Sequence, residues 1–250
     1  MHIIGDFMQK NIKIKPAKGF KTITKCLEFF ALNNEGTVEQ VAKYINRDYT
    51  TALRIIKKLL PRYIQLERIE SPVRKGRETK VYRITLHGLF CWMAVNKKVA
   101  EEKFEKIIEA HKERLLTFKK WEYFKDKGLA DYIKNKFFQS ILHYQIFTMG
   151  FFPAAYTLIY GRPMIPLANE KGVANAADFD ILQLNRLMFP PNYVKRNFKN
   201  EWKNLISLYK AIEEDYELKR FKDMIIFERE RELNEQLKAI QDWKQLLSQL

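Results

Sequence analysis

The sequence predicts a mainly helical fold that carries one β-hairpin near its N-terminal side. Three observations predict it. Apolar residues recur at spacings of three and four from Ile23 to Leu59. A single stretch, residues 63–86, instead carries two β-branched and aromatic runs separated by a charged turn with Pro72 and Gly76. From Leu86 onward the pattern returns to helical spacing, and no Gly or Pro occurs among the 59 residues after Pro191. With 250 residues, 46% of them hydrophobic and 14% aromatic, the chain can bury more than one core, and disorder is excluded as a general description.

The elements follow in order. Residues 1–20 read as a basic arm with Lys10, Lys13, Lys15 and Lys18; they lack the apolar core and small-residue cleavage site of a signal peptide. Ile23, Cys26, Leu27 and Phe30 form the stripe of a first helix, closed by Asn33, Asn34 and Gly36. Thr37 followed by Gln40 has the spacing of a capping box, in which hydroxyl and amide each satisfy an exposed backbone N–H. It opens a second helix with Val38, Val41, Ala42 and Ile45 facing inward. Asp48 is placed to cap a third helix, "YTTALRIIKKLL", which Pro61 ends. "YIQLERIES" and "TKVYRITL" then read as antiparallel strands around the turn "SPVRKGRE". Three helices followed by a hairpin is the order of a winged helix-turn-helix, predicted over residues 21–96, with the turn as its wing.

The segments "VEQVAKYINRDYTTALRIIKKL" and "KGRETKVYRITLHG" resemble the winged-helix domains of prokaryotic transcriptional regulators of the MarR and PadR type. The resemblance covers residues 21–90. It implies that a basic wing runs into a strand and that a threonine and a glycine open the next helix, the places held here by Thr85 and Gly88. The stretch "LPRYIQLER" lacks the glycine that these regulators often carry before the wing. The remainder of the chain carries no resemblance.

Charge indicates the partner. The chain's formal charge is +15, and it is concentrated: residues 1–98 hold 20 Lys and Arg against 8 Asp and Glu. Such asymmetry points to an anionic partner for that part, double-stranded DNA first of all. At about 100° per residue, Ala52, Ile55, Ile56 and Leu59 share one side of the third helix, and Arg47, Thr50, Arg54 and Lys57 share the other, flanked by Thr51 and Lys58. One face packs on the first two helices and the other suits a major groove. Arginine can bond a guanine edge in two places, and threonine can bond a base or touch a thymine methyl. Thr50, Thr51, Arg54 and Tyr49 are therefore the expected base contacts. Arg47, Lys57 and Lys58 are the expected phosphate contacts. Arg74, Lys75, Arg77 and Lys80 of the wing are expected on the backbone or in the adjacent minor groove.

Beyond the winged helix the sequence predicts a long linking helix over 97–127, ended by Gly128, and a helical domain over 128–250. Phe137 to Gly161 is uncharged, but Gln139, Ser140, His143, Gln145, Thr148, Gly150 and Pro153 dilute its hydropathy and interrupt the helix; buried helices rather than a membrane span are expected. Tyr123, Phe124, Phe137, Phe138, Tyr144, Phe147, Phe151, Phe152, Tyr156 and Tyr160 read as core rather than as a ligand pocket. The 59 residues after Pro191 predict one or two long helices, with Leu233, Leu237, Ile240 and Leu247 at heptad core spacing and Lys244 interrupting.

Enzyme signatures are weak. Neither a glycine-rich phosphate loop nor a nucleophile elbow occurs. His87 and Cys91 fall four apart but have no second pair, so no metal site is expected. Asp178 or Asp180 with Glu201 and Lys203 has the composition of a nuclease's carboxylate-and-lysine set, but in helical surroundings. No catalytic residue and no cofactor is expected. Cys26 and Cys91 do not make a disulfide framework, and the cytoplasm (nucleoid-associated in a prokaryote) is the expected location. The expected protein is a dimeric transcriptional regulator, joined through helices after residue 97, with a possible protein partner for its C-terminal domain. A plasmid or viral replication or partition protein would carry the same DNA-binding features. A winged helix serving as a protein-interaction module is the alternative of another class.

Overall fold

A computed structural model describes residues 20–71, 78–148 and 170–247. The fold is mainly helical with one small antiparallel sheet, and the chain divides into two compact units at Trp92 and Met93.

The first unit opens with α1, Phe20–Asn33. Asn34 takes a left-handed backbone, φ 65°, and turns the chain into a short strand, β1, Glu35–Thr37. Helices α2, Val38–Ile45, and α3, Tyr49–Leu59, follow. Both predicted caps form. Thr37 Oγ1 accepts from Gln40 N while Gln40 Oε1 accepts from Thr37 N, and Asp48 Oδ1 accepts from Thr51 N at 2.8 Å. Val41, Ile45, Ala52, Ile55, Ile56 and Leu59 all point inward, with Cys26 and Phe30 of α1 in the same core. Burial pushes the Cys26 thiol up to about 12, so it stays protonated and acts as a small apolar group.

Strands β2, Ile64–Glu70, and β3, Thr79–Ile84, form the predicted hairpin, and β1 adds to the far edge of β3. The sequence reading missed β1. It is three residues long, and pairing with β3 rather than its own periodicity makes it a strand. Gly36 also departs from its expected role as a helix stop: a Cβ there would lie 2.5 Å from the Phe29 ring. A bulge between Leu66 and Arg68 shifts the β2 register. It sets Arg68 to reach across the sheet to Glu35, at 2.6 and 2.9 Å, and to Glu70 at 3.0 Å.

Helix α4, Leu86–Val95, follows β3 directly. Thr85 and Gly88 open it as the resemblance implies. Thr85 Oγ1 accepts from Gly88 N at 3.0 Å and donates to the Arg62 carbonyl at 2.8 Å. A Cβ on Gly88 would meet the Tyr63 carbonyl at 2.2 Å, so the helix start and the entry to β2 touch backbone to backbone.

The second unit corrects the sequence reading of 97–127. No long linking helix runs there. Short helices α5, Lys97–Glu102, α6, Phe104–Ala110, α7, Leu116–Lys119, and α8, Trp121–Asp126, replace it, with a 3₁₀ turn over Lys112–Arg114. The break before Leu116 has a distant cause. The buried Asp178 carboxylate accepts from the N–H groups of Leu116 and Thr117, at 2.8 and 2.9 Å, and from the Thr117 hydroxyl at 2.6 Å, which starts a new helix there. Phe104 meets Phe118, Trp121, Phe137 and Phe138 at ring separations of 5.2–6.0 Å, so these turns wrap one aromatic core.

Gly128, φ 67°, closes α8 as expected. Helices α9, Ala130–Thr148, α10, Glu170–Ile181, α11, Pro191–Asn197, α12, Trp202–Glu214, and α13, Tyr216–Leu247, complete the unit. The stretch after Pro191 thus makes three helices where one or two were expected. Asp215 divides the last two: its carboxylate accepts from the N–H groups of Glu217 and Leu218 and pairs with Lys120. Among the described residues, no helix is long and apolar enough to cross a membrane. The part of the uncharged segment beyond Thr148 lies outside the described residues.

Candidate nucleic-acid interface

The outward face of α3 is built by its own sequence. Four buried apolar side chains fix the helix against the core, and this leaves Thr50, Arg54, Lys57 and Lys58 exposed, with Arg47 exposed just before the cap. Tyr49 is 41% exposed at the first turn. Among the described residues none of Arg47, Arg54, Lys57 and Lys58 has a carboxylate partner. Asp48, the acid nearest in sequence, is committed to the cap. Bonds from the Thr51 hydroxyl and N–H hold its carboxyl below the usual range.

The structure therefore brings most of the expected base and phosphate residues onto one exposed surface, with one distinction. Thr51 is half-buried and its hydroxyl already donates to Asp48 Oδ2 at 2.7 Å. It orders the helix N-terminus. Thr50, with no such bond, presents its side chain outward.

The acids of the sheet, Glu35, Glu67 and Glu70, are spent on other cations. Arg68 takes Glu35 and Glu70, and Arg83 takes Glu67 at 3.0 Å. The Arg68 guanidinium holds the Glu35 carboxyl low, so this pairing persists at neutral pH. Lys80 is exposed on β3. Arg74, Lys75 and Arg77, the remaining wing residues, lie outside the described residues, as do the arm lysines Lys10, Lys13, Lys15 and Lys18.

Sequence reasoning missed Arg62, an exposed residue just past α3. Its Nε donates to His87 Nε2 at 3.1 Å, and its guanidinium lies 5.5 Å from the Tyr63 ring centre. The only signal was a basic residue after a helix end. His87 is buried and stacked on Tyr63; burial and the nearby Arg62 charge push its pKa down to about 4. It is a neutral acceptor at physiological pH, and the Nε2 that faces Cys91 Sγ at 3.7 Å is taken by Arg62.

Two acids of the faint carboxylate-and-lysine set in the second unit are committed to other partners. Asp178 is fully buried in its helix-capping bonds. Glu201 pairs with the buried Lys136 at 2.7 Å. Phe124, Phe137 and Phe138 are core residues, and the Tyr123 hydroxyl donates to the Ala211 carbonyl. The side chains of Tyr144, Phe147, Phe151, Phe152, Tyr156 and Tyr160 lie outside the described residues. Comparison of the chain with models of known families, with curated proteins and with solved structures finds no match.

Proposed function

We propose that the N-terminal unit is a winged helix-turn-helix that binds double-stranded DNA with sequence preference, and that the protein is a transcriptional regulator acting as a homodimer. One observation carries this reading. Arg47, Arg54, Lys57 and Lys58 stand together on the exposed face of α3 without carboxylate partners, while Glu35, Glu67 and Glu70 of the sheet are paired with Arg68 and Arg83. The second unit is different: Lys119, Lys120, Lys125 and Lys127 are bridged to Glu217, Asp215, Glu105, Glu122 and Glu214. Unpaired charge on an exposed helix face lowers its free energy by meeting phosphate.

In this mechanism α3 enters the major groove. Arg54 and Thr50 face base edges, and Arg47, Lys57 and Lys58 hold phosphates on either side. The wing reaches backbone or minor groove beside it. No step requires a metal or cofactor, and the protein is read as a binding protein of the cytoplasm rather than an enzyme.

The test is selection of bound fragments from source genomic DNA at about 150 mM salt, near physiological ionic strength. Enrichment of a few inverted-repeat sites near promoters supports the regulator. Clustered iterated sites at an origin move the reading to replication or partition. No recovery of DNA sinks it and favours a protein-interaction module.

A further inference from the structure

Helix α13 is 32 residues long and packs on α12, which has 13. At 1.5 Å per residue these are about 48 Å and about 20 Å. The shorter helix therefore covers only the first part of the longer one. Burial agrees. Leu218 is fully buried, Phe221 is 9% exposed, Lys222 turns inward to Glu213, and Ile225 and Ile226 are half-buried. Past Glu232 cover is lost: Leu233, Leu237, Ile240 and Trp243 are 43–63% exposed.

These exposed residues do not begin a new face. At about 100° per residue, Leu233, Leu237 and Ile240 lie in line with Lys222, Ile226 and Arg229, the side that packs inward nearer the body. That side is part-buried and partly charged at Lys222, Ile226 and Arg229, and becomes apolar and bare at Leu233, Leu237 and Ile240. Bare stripes of this size mark interaction surfaces.

The charges in the seam select the occupant. Heptad spacing puts Ile226, Leu233, Ile240 and Leu247 at one core position and Glu230, Leu237 and Lys244 at the other. In a parallel pair of this helix, Glu230 would face Glu230 and Lys244 would face Lys244. In an antiparallel pair that sets Leu237 opposite Ile240, Glu230 comes within one turn of Lys244 of the second copy, twice. Opposite charges then flank an apolar centre.

We propose that the C-terminal half of α13 is the self-association element of this protein and pairs antiparallel with the same helix of a second copy. This deepens the dimeric part of the function proposed above. Its test contains no DNA, so its failure leaves the DNA-binding reading standing.

The experiment is sedimentation velocity of the full chain over a concentration series, with circular dichroism on each variant. The wild type is expected to sediment as a dimer. Glu230→Lys and Lys244→Glu should each raise the dissociation constant about tenfold or more, because like charges then meet in the seam. The double variant Glu230→Lys/Lys244→Glu should restore the dimer, and an equimolar mixture of the two single variants should form a heterodimer. Restoration separates lost pairing from lost folding. A wild-type monomer at every concentration overturns the proposal. So does a dimer that neither single charge swap weakens, or a double variant that stays as weak as the singles.

Discussion

Replacing both Lys57 and Lys58 by glutamine removes two exposed ammonium groups from α3 and breaks no ion pair. The folded unit should tolerate this, with a stability change within about 0.5 kcal/mol. DNA binding should not. Each phosphate neutralised contributes about 0.9 to the slope of log affinity against log salt, so the double variant should lose about 1.8 from that slope. Between 50 and 200 mM salt, a fourfold change, this reduces the salt-induced loss of affinity by about tenfold. Fluorescence anisotropy with a labelled duplex measures it directly. The control is Lys119→Gln/Lys127→Gln, which removes the same net charge from groups bridged to Glu217 and Glu214 in the second unit. Its slope should match the wild type. An equal fall for both pairs would mean that net charge alone governs binding. No fall for the α3 pair would refute the interface.

Three further outcomes are expected. Arg54→Ala should lose about 1–3 kcal/mol on the preferred site and relax preference at one base position, and equal loss on all sequences would remove its base-reading role. Thr85→Val strips the partners of Gly88 N and the Arg62 carbonyl and should lower urea stability by about 2–3 kcal/mol; a shift below half of that would show the bonds to be dispensable. Asp178 supplies a pH dependence. Burial raises its pKa to about 6, against the lowering effect of the bonds from Thr117 and Leu116. A carboxyl raised in the folded state contributes stability that is full below its unfolded value, near 3.8, and is lost as pH rises through about 6. Wild type minus Asp178→Asn should therefore change by about 2 kcal/mol between pH 4 and pH 7, in favour of acid. A flat difference in denaturant unfolding would contradict the raised pKa.

Local chemistry determined the N-terminal unit of this molecule. The caps at Thr37 and Asp48, the apolar stripes of α2 and α3, and the β-branched runs of the hairpin act within a few residues, so they can be read without a fold. The same periodicity placed Arg54, Lys57 and Lys58 on the outer face. It could not tell that Thr51 spends its hydroxyl on Asp48 while Thr50 does not, since both fit the same turn. Nor could it tell which cations lack acids, because Arg68 finds Glu35 across 33 residues and Lys120 finds Asp215 across 95.

Tertiary structure decided the rest. Asp178 starts a new helix at Leu116 from about 60 residues away, β3 turns Glu35–Thr37 into a strand, and the length of α12 leaves the end of α13 bare. The first two are long-range pairings that local propensity is too weak to encode: a buried carboxylate or an aligned strand offers backbone groups stronger partners than one more turn of helix does.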